Sequence, residues 1–192
     1  MLLACGVCFA EDAVSSATVK IDAFPQVETK DNGILVVYFS TNDTVRAAAY
    51  VIADALSAAL FEIVPAQPYS EDDLNYYNSK SRSTAEMRDP NARPEIAELP
   101  EDLSAFDTVV LCYPIWGGQA PKIICTFLES VDLSGKAVIP FATSNSTGIG
   151  SSARTLQALT GDSVQWLEGK GVRRGATEEE IRLWAESLKG EE

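Results

Sequence analysis

Two spacings of apolar residues alternate along the chain from residue 34 onward. Ile34-Leu35-Val36-Val37-Tyr38-Phe39 is an unbroken β-rich run, as expected of a strand covered on both faces. Behind it Val45, Ala48, Ala49, Ile52, Ala53, Leu56 and Leu60 recur at helical spacing, which predicts a helix from about Thr44 to Leu60. A short strand over Leu60 to Val64 ends at Pro65, and Thr108 to Tyr113 is a third apolar strand. Pro121 then opens a helix whose Ile124, Phe127, Leu128 and Val131 share a face. Ala137 to Ala142 reads as the fourth strand, and its Pro140, with no N–H to donate, predicts a bulge or a locally unpaired position. A helix from about Gly150 to Leu159 stops at Gly161, and Val164 to Leu167 makes a fifth short strand. Thr177 and Glu180 form a capping box for a final helix carrying Ile181, Trp184 and Leu188. Five strands alternating with helices predict a three-layer α/β fold.

Residues 65–99 break this rhythm. They hold Tyr69, Tyr76, Tyr77, Arg82 and four prolines where a second crossover helix would stand. Segments this long without periodicity are usually functional or disordered. Two readings stand side by side: a lid of aromatics and Arg82 over a pocket, or a cover for an edge strand.

The N-terminal end follows neither spacing. Residues 1–10 form a short apolar run ending in small residues before Glu11-Asp12, which reads as a truncated secretory leader. Leu2-Leu3-Ala4-Cys5 also resembles a lipobox, which makes Cys5 a candidate lipid anchor. Cys5-Gly6-Val7-Cys8 has CxxC spacing, but it lies in an apolar leader and no second pair follows. Residues 11–33 are a polar spacer, and the domain proper runs from 34 to 189. A genuine leader places the domain in the cell envelope; the alternative is a cytoplasmic chain with an inaccurate start. No stretch approaches the roughly 18 apolar residues of a transmembrane helix.

Composition narrows the chemistry. The 192 residues, 46% hydrophobic and 22% charged, suit one globular domain. With 28 Asp and Glu against 15 Lys and Arg, the net charge of −13 repels a phosphodiester backbone, so nucleic acid is not an expected partner. The chain has no histidine, which removes Ser-His-Asp and Cys-His nucleophile pairs and His-containing zinc sites. Chemistry must then come from a cofactor or from carboxylates, Tyr, Lys and Cys. Cys112 and Cys125, in the third strand and its helix, are expected to act as small buried hydrophobes without a redox role.

Three loops, each at the end of an apolar strand, carry the candidate site. Ser40-Thr41-Asn42-Asp43-Thr44 offers hydroxyls and the free amides of a helix start to an anion. Pro114-Ile115-Trp116-Gly117-Gly118 offers a rigid aromatic face beside permissive glycines. Thr143-Ser144-Asn145-Ser146-Thr147-Gly148 offers small polar groups. Loops at the carboxyl ends of neighbouring parallel strands converge on one crevice. The site is therefore suited to a ligand anionic at one end and flat at the other. The plainer readings are a Ser/Thr helix cap, a packing Trp and an ordinary βα turn; Trp166 and Trp184 are expected to be packing residues.

These three loops, in this order, resemble the flavodoxin family, and the likeness extends from about Gly33 to Lys189. It is closest to flavodoxin-like proteins of anaerobic bacteria, which often carry a lipoprotein-type leader. The resemblance implies a sheet of order 2-1-3-4-5, with FMN beyond strands 1 and 3 and its phosphate at the first loop. It also implies redox partner proteins or small acceptors such as quinones. The family's usual phosphate loop is Ser-x-Thr-Gly-Asn-Thr; Ser40 to Thr44 is one residue shorter, lacks glycine and contains Asp43. A carboxylate ~4 Å from a phosphate costs roughly 4 kcal/mol at an effective dielectric of 20. Two functions therefore stand open: an FMN-dependent carrier or reductase, and an interaction module that has lost FMN.

Overall fold

The computed structural model describes residues 32–145 and 148–189. The leader with Cys5 and nearly all of the spacer lie outside the described residues. Six parallel strands and five helices alternate: β1 (Ile34–Tyr38), α1 (Asp43–Leu56), β2 (Ala59–Glu62), α2 (Arg82–Arg88), β3 (Thr108–Pro114), α3 (Lys122–Ser130), β4 (Ala137–Ser144), α4 (Ser152–Gln157), β5 (Gln165–Trp166), β6 (Lys170–Arg173) and α5 (Glu178–Ser187). The sheet order is β2-β1-β3-β4-β5, with β6 also paired to β4. This is the flavodoxin-like order expected above, with β5 and β6 sharing the last position.

The period of two along the central strands separates two cores. Leu35, Val37, Phe39, Val109, Leu111 and Tyr113 face α3, meeting Ile123, Ile124, Phe127 and Leu128. Val36, Tyr38, Val110 and Cys112 face α1 and α5, meeting Ile52, Leu56, Ile181 and Ala185. The unbroken apolar runs of β1 and β3 follow from this double coverage. Trp166 and Trp184 pack against these cores as expected.

Several boundaries differ from the periodicity. α1 ends at Leu56, because Ser57 adopts a left-handed cap (φ 52°) whose amide bonds back to Asp54 O. The chain that Leu60 was expected to extend as helix is already β2, which begins at Ala59 rather than Leu60. Leu60 reads as helical because β2 starts so soon after the cap that its apolar residues continue the spacing. α4 is shorter than the predicted 150–159. The fifth strand spans two residues, and β6 was not foreseen.

Pro140 explains the split edge. The ladder from β3 to β4 runs unbroken through Leu111↔Pro140, so there is no bulge on that side. On the other side β4 pairs with β5 only at Ala137 and Val138, and with β6 only from Phe141 to Ser144. Val138 O and Ser144 O accept from Leu167 N and Arg174 N, so alternation turns the nitrogen of Pro140 toward the same edge. The residue without an N–H sits where no partner strand requires one. Gly169 passes that point so closely that a Cβ would lie 2.2 Å from Pro140 O.

Residues 65–99 form neither a crossover helix nor loose coil. A bridge between Pro65 and Ile96 closes the excursion, with Ala66 N on Glu95 O at 2.9 Å and Ala97 N on Val64 O at 2.8 Å. α2 lies inside it, too short and too polar for its period to show in the sequence. At the opposite end of the strands from the three loops, Asn32 Nδ2 donates to Leu56 O at 2.6 Å. Asp107 N and Thr108 N donate to Gly33 O at 2.8 and 3.1 Å, so the chain enters β1 at that far edge.

Candidate functional site

β1, β3 and β4 are adjacent, and the order reverses between β1 and β3. Their carboxyl ends bring the three loops to a single rim, at the topological switch point where such sheets bind ligands. The registers Tyr38↔Cys112 and Pro114↔Thr143 set the loops level with one another.

The first loop is a helix start. The first turn of a helix leaves four amides without internal partners. Asn42 caps α1, its Oδ1 accepting from Thr44 N at 3.0 Å, while Asn42 N reaches Ser40 Oγ at 3.4 Å. Ser40 Oγ in turn donates to Asn42 O. The amides of Asp43 and Val45 and the hydroxyls of Thr41 and Thr44 have no partner among the described residues. Together with the favourable helix dipole they fit a phosphate that needs no cation. One feature opposes the fit: the Asn42 side chain holds the Thr44 amide that a phosphate would otherwise take.

Asp43 is exposed at the same helix start and has a cation beside it. Its side chain is 84% exposed and its Oδ1 lies 3.6 Å from Arg46 Nη1. Arg46 Nη2 continues to Glu62 Oε1 at 3.0 Å, and Tyr38 OH donates to Glu62 Oε2 at 2.9 Å. Burial, reinforced by Glu62, holds the Tyr38 phenol well above the ordinary tyrosine range. This network ties the start of α1 to the end of β2. The repulsion expected at an effective dielectric of 20 falls with this exposure, because in water-like surroundings the same separation costs about 1 kcal/mol.

The second loop is a tight reversal. Trp116 and Gln119 exchange backbone bonds of 2.9 and 3.0 Å around Gly117 (φ 54°) and Gly118 (φ 86°). Two consecutive positive φ values are the requirement of a type I′ turn, and they explain the glycine pair. A Cβ at either position would meet nothing within 4 Å, so the reversal leaves open space over its backbone. Ile115 N donates to Thr143 O at 2.8 Å, joining the second loop to the third.

Trp116 is half-buried in an aromatic cluster. Its ring is edge-to-face with Phe39 (centroids 5.6 Å, 76°) and with Tyr69 (5.4 Å, 79°). Phe39 and Tyr69 meet at 6.0 Å. Tyr69 belongs to the 65–99 excursion, which therefore reaches the site. Tyr69 OH donates to Glu86 Oε2 at 2.6 Å, Arg82 Nε to Glu86 Oε1 at 2.7 Å, and the Arg82 guanidinium lies 4.1 Å from the Tyr69 ring centre. Burial and the Glu86 bond push the Tyr69 phenol far above its ordinary value.

The third loop begins inside β4, where Thr143 and Ser144 are buried, and continues through exposed Asn145. Ser146 and Thr147 lie outside the described residues. Gly148 is exposed, and the return into α4 is pinned at Ser152, which is fully buried. Ser152 Oγ donates to Ile149 O at 2.6 Å and is met by Tyr113 OH at 3.1 Å. The Ser152 proton being used, the phenol donates. Burial pushes Tyr113 up to about 12, so it stays neutral. From β6, Gly171 lies directly beneath this return: a Cβ there would stand 2.1 Å from Ile149 N and 2.5 Å from Gly148 C.

Sequence reasoning missed the contact of Tyr69 with Trp116, the Tyr113–Ser152 clasp and the role of Gly171. Only the last left a readable signal, since a glycine inside a strand marks close backbone approach. Cys112 is fully buried and Cys125 nearly so, and burial raises both thiols. Neither is a reactive thiolate.

A helix N-terminus, an aromatic reversal and a polar strand end at the switch point place the chain among the doubly wound α/β folds, in which that crevice is where ligands bind. The chain matches the flavodoxin family over residues 33–188 and belongs to it. It is similar to a candidate flavoprotein from Bacteroides eggerthii DSM 20697, with 42% identity over 82% of this chain and 98% of that one (TM-score 0.74). A second candidate flavoprotein, from Bacteroides uniformis ATCC 8492, is 38% identical over 82% of this chain and 97% of that one (TM-score 0.76). A flavoprotein from Lactobacillus acidophilus NCFM, solved in complex with FMN, shares the fold at 19% identity over 79% and 97% of the two chains (TM-score 0.60). No curated protein matches the chain.

Proposed function

We propose that the protein is an FMN-binding flavoprotein that passes electrons between a redox partner and an acceptor, protein or small quinone-like molecule. The observation that carries this reading is the placement of Trp116 and the start of α1 on one rim. FMN would supply one- or two-electron chemistry when bound, while the protein sets its position and surroundings. The Asp43 and Val45 amides and the Thr41 and Thr44 hydroxyls would hold the phosphate. Trp116 would cover the ring, with Gly117 and Gly118 admitting its polar edge, and Thr143, Ser144, Asn145 and Gly148 would line the remaining side. The family membership and the FMN held by the Lactobacillus protein on this fold support the reading.

One observation favours an FMN-free interaction module: the Thr44 amide is already taken by Asn42. Titrating the apo-protein with FMN while following flavin fluorescence separates the two. The flavoprotein reading expects saturable quenching that is lost in Trp116→Ala. Absence of binding up to high micromolar FMN, roughly −5 to −6 kcal/mol of affinity or weaker, leaves the module.

A further inference from the structure

We propose that Tyr69, clamped by Arg82 and Glu86 of α2, is a positioning residue that sets Trp116 as the ring platform, which rests on the flavin reading above. Trp116 stands in a reversal whose central glycines would meet nothing within 4 Å even with a Cβ added, so the support for its indole comes from outside the turn. Phe39, just past the end of β1, and Tyr69 meet the Trp116 ring edge-to-face at 5.6 and 5.4 Å and lie 6.0 Å from each other, so the three rings brace one another as a triangle. Tyr69 in turn has no freedom: its hydroxyl is bonded to Glu86 and its face is covered by Arg82, which also donates to Gln67 O at 2.8 Å.

The clamp is anchored on both sides. The Pro65–Ile96 bridge closes the excursion at its base, and Arg93 forks onto Glu129 of α3 at 2.6 and 2.7 Å. Arg82 and Glu86 are i,i+4 on α2, with side chains only 20% and 13% exposed, so their pairing is better shielded than a surface ion pair. A cation over an aromatic face and edge-to-face rings each favour one arrangement of the groups that make them. The excursion is thus a fixed wall of the ring half of the site. Tyr69 and Arg82 of this segment are part of that wall.

The test uses the full chain labelled with 5-fluorotryptophan, whose three tryptophans give three fluorine resonances, Trp116 being assigned through Trp116→Phe. In the apo-protein, Tyr69→Phe keeps the ring but loses Glu86, and Arg82→Met keeps the aliphatic stem but loses the cation. Both are expected to shift or broaden the Trp116 resonance and leave the other two in place. FMN and riboflavin affinities are expected to fall together, by about fivefold or more. An unmoved Trp116 resonance in both variants overturns the clamp. A loss confined to FMN overturns it too, because that places the effect at the phosphate. If the unaltered protein binds neither flavin, the functional reading fails while the apo-protein resonance still decides the clamp.

Discussion

A single side-chain direction decides how much the unusual phosphate loop costs. Asp43 alone reads as a repulsive charge facing the phosphate, but its side chain is exposed and Arg46, one helical turn on, stands 3.6 Å from it. Asp43→Asn is therefore expected to change FMN affinity by less than about threefold, with riboflavin unaffected, since exposed pairs contribute about 0–1 kcal/mol. Isothermal titration of the two ligands checks this, and a tenfold gain for FMN alone would return Asp43 to the phosphate. Residue types were legible at this scale: Ser and Thr before a helix, Trp ahead of paired glycines. Directions were not, because they depend on partners such as Glu62 and Glu86, contributed by other elements. Asn42, for example, is extended (φ −153°) and caps the helix.

At the level of elements, periodicity located every long strand and helix and also β2, α4 and β5, while α2 and β6 escaped it. α2 is mostly polar and β6 holds one apolar side chain, Val172, so neither shows a pattern, and both reach the site from outside the three loops. β6 acts through Gly171, whose missing side chain lets the Gly148–Ile149 return lie on it. Gly171→Ala must displace that return, since the obstruction is backbone. Overpacking of this kind costs about 1–3 kcal/mol. The expected outcome is a lower denaturation midpoint and a loss of about tenfold or more in affinity for both FMN and riboflavin. Unchanged flavin binding would show that the third loop plays no part in holding the ligand.

For the molecule as a whole, charge decides how it meets others. The net charge of −13 favours a basic partner, and the field is screened over about 8 Å at physiological salt. Electron exchange with a basic reductase or acceptor protein is expected to slow as sodium chloride rises from 20 to 500 mM, visible in stopped-flow traces of flavin absorbance. Rates indifferent to salt would point to neutral acceptors. Among the described residues no helix is long and apolar enough to cross a membrane. The right-handed alternation of parallel strands and returning helices places every strand's carboxyl end at the rim. It also returns α5 toward the far edge, where the chain enters β1 beside Leu56. Both ends of the described domain therefore leave from its base, opposite the rim. Among the described residues, a partner that reaches the crevice therefore meets neither chain end.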